Sequence, residues 1–78
     1  MPDEGSARTL REWRAERLLT IRDLARMAGV APSTIYLAEA GRAMPQPGTM
    51  RAISAALGVQ PGQVEEFRAT IAARAWPR

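Results

Sequence analysis

Guanidinium groups, carboxylates and a few hydroxyls carry all the chemistry open to this 78-residue chain, because it holds neither cysteine nor histidine. Their absence removes thiolate nucleophiles, imidazole bases, disulfides and zinc fingers together. The eleven basic residues are all arginine, set against eight acidic ones for a net charge of +3. Guanidinium keeps its charge at any working pH and offers a planar fork to phosphate, although arginine used beside abundant alanine equally reflects genome composition. No segment is a polybasic run. A nucleic-acid partner would therefore be held by a few placed arginines on a shaped surface, since bulk charge this small cannot drive binding. Scattered carboxylates without a nucleophile, metal cluster or phosphate loop supply no reaction, and the stretch 41–48 lacks the Gly-Lys-Ser/Thr ending of a P-loop. The expectation is a binding protein with no cofactor and no metal, not an enzyme.

The elements that must position these groups read as one all-α domain, a compact five-helix bundle. A hydrophobic fraction of 46% with 24% charged residues is ordinary for a globular chain, and the length leaves room for a single core. No apolar run approaches the ~20 residues of a membrane span, and the start Met1-Pro2-Asp3-Glu4-Gly5 is acidic where a signal peptide is basic, so a cytoplasmic, nucleoid-associated address is expected. The first helix runs from about Thr9 to Arg17, capped by either Ser6 or Thr9, with Glu12 available to complete a box with Thr9. Thr20 caps the second, Asp23 closes its box, and Ile21, Leu24, Ala25 and Ala28 follow helical spacing up to Gly29. Pro32 opens the third, which continues through Tyr36 and Glu39 to Gly41. Residues 42–48, with two prolines and a glycine, read as an extended loop. Thr49 then caps a fourth helix with Met50, Ile53 and Leu57 inward, ended by Gly58-Val59. A fifth carries Glu65 and Glu66 in its first turn and Val64, Phe67 and Ile71 along one stripe, fading toward Arg74 and Trp76.

Two short helices joined by a glycine-containing turn, the second opening on proline, fit a helix-turn-helix. Over about residues 8–67 the sequence also resembles the Xre/Cro-type, lambda-repressor-like helix-turn-helix DNA-binding domains. Leu10-Arg11-Glu12-Trp13-Arg14 and Leu19-Thr20-Ile21-Arg22-Asp23-Leu24-Ala25 match that pattern, followed by Ala28-Gly29-Val30, Ser33-Thr34-Ile35, Glu39-Ala40-Gly41, Pro47 and Ala56-Leu57-Gly58-Val59. The resemblance implies residues 1–7 as a flexible tail, 8–67 as the helix-turn-helix domain and 68–78 as a helical extension of it. It implies Thr20, Ile21, Arg22, Pro32, Ser33, Thr34, Tyr36, Leu37 and Arg42 as DNA-binding positions, with Arg42 on the backbone of the duplex. It also pairs Glu39 with Arg14, an ion pair tying the third helix to the first. Four positions depart from the pattern. Ile21 stands where the family often has a glutamine that touches the DNA backbone, Ala31 where it has a serine cap, Leu18 where it has glycine, and Ala38 where it has a larger aliphatic residue.

At 100° per residue, Ile35, Ala38, Glu39 and Arg42 share the inward half of the third helix, and Ser33, Tyr36, Leu37 and Ala40 the outward half. The outward set contains no Arg, Asn or Gln, the strongest bidentate readers of bases. Ser33 and Tyr36 can donate to bases or phosphates, and Leu37 can meet a thymine methyl. These features imply a transcription regulator that binds double-stranded DNA as a homodimer on a two-fold site. The alternative is a protein-interaction module of the same fold, an adaptor or the antitoxin partner of a toxin, binding a protein helix through Tyr36, Leu37 and Ala40. No membrane partner is implied. Arg11, Arg17, Arg26, Arg51, Arg68 and Arg74 read as solvated faces. In the extension, Ile71, Ala75 and Trp76 either form a dimer contact or, through Trp76, fold back to close the monomer's own core.

Overall fold

Thr9 and Thr20 decide where the first two helices begin in the computed structural model, which describes residues 7–75. Each threonine hydroxyl accepts the N–H three residues on, and each partner carboxylate, Glu12 or Asp23, accepts the threonine's own N–H. These reciprocal boxes start α1 (Leu10–Glu16) and α2 (Ile21–Ala28). Pro32 starts α3 (Pro32–Glu39) at its first position, where a missing N–H costs nothing, and Ala31 before it supplies no side-chain cap.

The next helix, α4 (Pro47–Leu57), begins three residues earlier than its sequence suggests, with Gln46 and not Thr49 as its cap. Gln46, extended at φ −65° and ψ 157°, lends its carbonyl to the Met50 N–H at 2.9 Å, so Pro47 takes the first helical position and Thr49 falls inside the first turn. The loop is correspondingly shorter, ending at Gln46. A 3-10 turn at Pro61–Gln63 leads into α5 (Glu65–Ala75). Among the described residues there is no strand, only an isolated bridge in which Arg8 donates to the Gln63 carbonyl and accepts from the Glu65 N–H.

Three helices stop in the same way. After α2, α3 and α4 the chain turns through Gly29, Gly41 and Gly58 at φ 74°, 71° and 75°, and paired N–H groups return to carbonyls of the last turn. The same hydrogen bonds follow α1, but there the left-handed residue is Leu18 at φ 57°.

The core holds Leu10 and Trp13 of α1, Leu24 and Ala25 of α2, Ile35 and Ala38 of α3, Met50, Ile53 and Leu57 of α4, and Val64 and Phe67. α2 packs against both α3 and α4, so the two helices of the helix-turn-helix are fixed on a common scaffold. The stripe on α5 is shorter than its spacing suggests: Phe67 is buried, but Ile71 one turn later is exposed. Two long-range contacts close the bundle. Glu66 accepts the Leu10 N–H at 2.7 Å, satisfying a first-turn donor of α1, and Arg17 Nε donates to the Leu57 carbonyl at 2.6 Å at the end of α4. Arg17 is thus structural as well as solvated, and its guanidinium lies 4.9 Å from the centroid of the Trp13 ring.

Candidate nucleic-acid interface

The reciprocal Thr20–Asp23 cap fixes the first turn of α2 and with it the side chains of Ile21 and Arg22. It also holds the Asp23 carboxyl below its ordinary value, chiefly through the Thr20 backbone N–H and then through the Thr20 hydroxyl. Arg22 is exposed and makes no hydrogen bond or ion pair among the described residues, whereas Ile21 is half-buried and packs against the core.

On α3, burial of Ile35 and Ala38 against the scaffold turns the opposite side outward. Pro32 and Ser33 are exposed in its first turn, Thr34 is half-buried, and Tyr36 is 55% exposed. Two positions differ from simple helical geometry. Leu37 is half-buried, with its carbonyl accepting the Arg42 N–H at 2.9 Å. Arg42 does not share the inward half: the left-handed Gly41 ends the helix before it, so the Arg42 side chain is exposed and free of partners among the described residues.

Behind this surface, Arg14 and Glu39 lock α1 to α3. Arg14 Nε donates to Glu39 Oε2 at 2.6 Å and Nη2 to Oε1 at 3.1 Å, while Nη1 donates to the Leu19 carbonyl at 2.9 Å. The bidentate hydrogen bonds raise the Arg14 pKa further and keep both charges paired where each side chain is mostly buried.

The pair forms part of an open cleft of about 340 Å³ lined by Arg11, Arg14, Ile21, Tyr36, Glu39 and Ala40. Of the sequence-derived positions it brings together Ile21, Tyr36, Arg14 and Glu39, while Thr20, Arg22, Pro32, Ser33, Thr34, Leu37 and Arg42 lie outside it. Arg11 joins this group although its sequence position read as a plain solvated face. The available signal was its spacing: a residue three before Arg14 is its neighbour on the helix surface, so it faces whatever Arg14 faces. Ile71 lies on α5, outside this cleft's lining, Ala75 is the last residue of that helix, and Trp76 lies outside the described residues.

No helix among the described residues is long and apolar enough to cross a membrane. A comparison with curated proteins finds no match. Among solved structures, the clp gene regulator ClgR from Corynebacterium glutamicum is similar, with a TM-score of 0.67 and 30% identity over 92% of this chain and 76% of that one. The helix-turn-helix family model matches residues 10–64, from the first residue of α1 to the last before α5. That match spans the capped α2, the glycine turn and the outward α3, and the chain accordingly belongs to the Xre/Cro-type helix-turn-helix family of DNA-binding transcription regulators.

Proposed function

We propose that this chain acts as a homodimer on a two-fold operator, with α3 entering the major groove. Ser33, Thr34 and Tyr36 face the bases or nearby phosphates together with Pro32 and Leu37, and Thr20, Ile21, Arg22 and Arg42 meet the backbone. The observation that carries this reading is the pairing state of the arginines. Arg8, Arg14, Arg17, Arg26 and Arg68 are engaged with carboxylates. The side chains of Arg22 on α2 and Arg42 just after α3, like those of Arg11 and Arg51, have no partner among the described residues, and Arg22 and Arg42 are the two that belong to the motif or directly follow it. Free guanidinium groups before and after an exposed helix in the chain suit contacts to phosphates. The lack of Arg, Asn or Gln among the outward side chains of α3 implies modest direct readout, which two half-sites compensate.

The reading implies a cytoplasmic, nucleoid-associated protein. The test is binding to random-sequence duplexes from about 50 to 200 mM salt, where phosphate contact gives a linear fall of log affinity with log salt. Flat salt dependence overturns the reading. The exposed Tyr36 and Ala40 beside half-buried Leu37 favour one other reading, a surface for a protein helix, and absence of DNA binding at low salt selects it.

A further inference from the structure

Arg11 is the unpaired member of the arginine set around α1. Arg8 pairs with Glu16, Arg14 with Glu39, and Arg17 with Glu16 and the Leu57 carbonyl, but Arg11 is exposed and makes no such contact among the described residues. It lines the cleft to which α2 contributes Ile21 and α3 contributes Tyr36, Glu39 and Ala40. Within that cleft the Arg14 charge is cancelled by Glu39, so one uncompensated positive charge remains, that of Arg11. The rest of the lining is the part of the Ile21 side chain left outside the core, the methyl of Ala40 and the ring and hydroxyl of Tyr36.

A single cation and a hydroxyl donor beside small apolar surfaces complement a unit that joins an anion to a weakly polar ring. We infer that the cleft seats one deoxyribose-phosphate unit of the bound duplex, with the phosphate on the Arg11 guanidinium and the Tyr36 hydroxyl and the sugar against Ile21 and Ala40. This rests on the proposed presentation of α3 to the major groove, and it extends the DNA footprint onto α1. It also gives Ile21 a role suited to its side chain. An aliphatic residue at the start of α2 cannot donate to phosphate, but it can cover the apolar face of a sugar. Charge complementarity commits the occupant to the polyanion, since the cleft has no second free cation to hold a small dianion.

The experiment measures binding of several random-sequence duplexes by fluorescence anisotropy across the same salt range, for the native chain, Arg11→Ala, Arg11→Gln and Arg68→Ala. Arg68 lies on α5, outside the cleft, and its replacement removes the same formal charge. Arg11→Ala and Arg11→Gln should each weaken binding about tenfold on every duplex and make the salt slope shallower by about one. Arg68→Ala should do neither, and all variants should melt with the native chain because neither arginine supports the core. Arg11→Gln retains much of the side-chain stem, so it reads the charge alone if Arg11→Ala loosens α1. Arg11 variants that bind like Arg68→Ala, or that lose affinity on one sequence only, overturn the assignment and leave the function reading standing. A native chain that fails to bind at low salt overturns both.

Discussion

Arg14 and Glu39, 25 positions apart, meet through two hydrogen bonds at 2.6 and 3.1 Å, and among the described residues this side-chain pair ties α1 to α3. The two side chains are 16% and 10% exposed, so breaking the pair leaves a mostly buried guanidinium with only the Leu19 carbonyl. Glu39→Ala should therefore cost about 3 kcal/mol, the lower end for breaking a buried pair because some water still reaches it. In a domain of this size that is a fall of more than about 10 °C in Tm. An unchanged melting curve would show that the pair is dispensable.

Leu18 supports a prediction of opposite sign. It occupies the left-handed position that glycine takes after α2, α3 and α4, and its side chain is 89% exposed, so it gains almost no burial for its backbone cost. A side chain in that region costs about 1–2 kcal/mol, part of which glycine gives back as added freedom in the unfolded chain. Leu18→Gly should stabilise by about 1 kcal/mol and raise Tm by about 4–8 °C. Gly58→Ala should lower Tm for the converse reason. If Leu18→Gly lowers Tm, the exposed side chain makes a contact worth more than the strain.

What was legible in the sequence follows from the range of each interaction. Thr9 with Glu12 and Thr20 with Asp23 announced their helices because a capping box is closed within four residues. Gly29, Gly41 and Gly58 marked helix ends because glycine alone adopts φ near +70° without cost. The sequence misplaces the start of α4 at Thr49 because a threonine is a strong cap signal, whereas the helix begins at Pro47 on the Gln46 carbonyl, a backbone group that leaves no mark in the sequence. Arg17 and Glu66 were opaque. Their partners, the Leu57 carbonyl and the Leu10 N–H, lie 40 and 56 positions away, and backbone groups leave no mark in a sequence. Ile71 fits the helical spacing of Phe67, but nothing in the described fold reaches over the second turn of α5 to cover it.

The Thr20–Asp23 box makes α2 sensitive to acid. Asp23 is held below its ordinary value of about 3.9, so it adds stability above that pH and loses it as pH falls through the lower folded value. Thermal melts of the native chain and Asp23→Asn from about pH 6 to pH 2.5 should show the native chain more stable at the upper end and the gap closing toward the lower. A gap independent of pH would mean that the hydrogen-bond geometry and not the charge supports the cap.

For DNA, Arg42 and Leu37 should separate by sequence. Arg42→Ala should weaken binding to all duplexes about equally and reduce the salt slope by about one, as loss of a phosphate contact does. Leu37→Ala should matter mainly where the facing base is thymine, through its methyl group, and this can be read by comparing thymine and cytosine at each position of a bound site. A selective loss from Arg42→Ala, or equal losses from Leu37→Ala on thymine and cytosine sites, contradicts these roles.

For the proposed homodimer, α5 is the surface to test. Beyond Phe67 the helix exposes Ala69, Ala72, Ala73 and Arg74 around Ile71, which is 36% exposed, so its outer half offers small side chains with one aliphatic anchor. Small residues let two helices approach closely, and a two-fold contact repeats that anchor on both copies. The described chain measures 38 × 32 × 19 Å, so two copies side by side along either longer axis have centres separated by a distance of the same order as one DNA turn, about 34–36 Å. Ile71→Glu should leave Tm of the dilute protein unchanged, since the side chain adds little to the monomer core. It should also convert the dimer to monomer in light scattering and weaken binding to a two-half-site duplex while sparing a single half-site. A variant that stays dimeric, or a native chain that is monomeric both at high concentration and on DNA, removes α5 as the dimer contact.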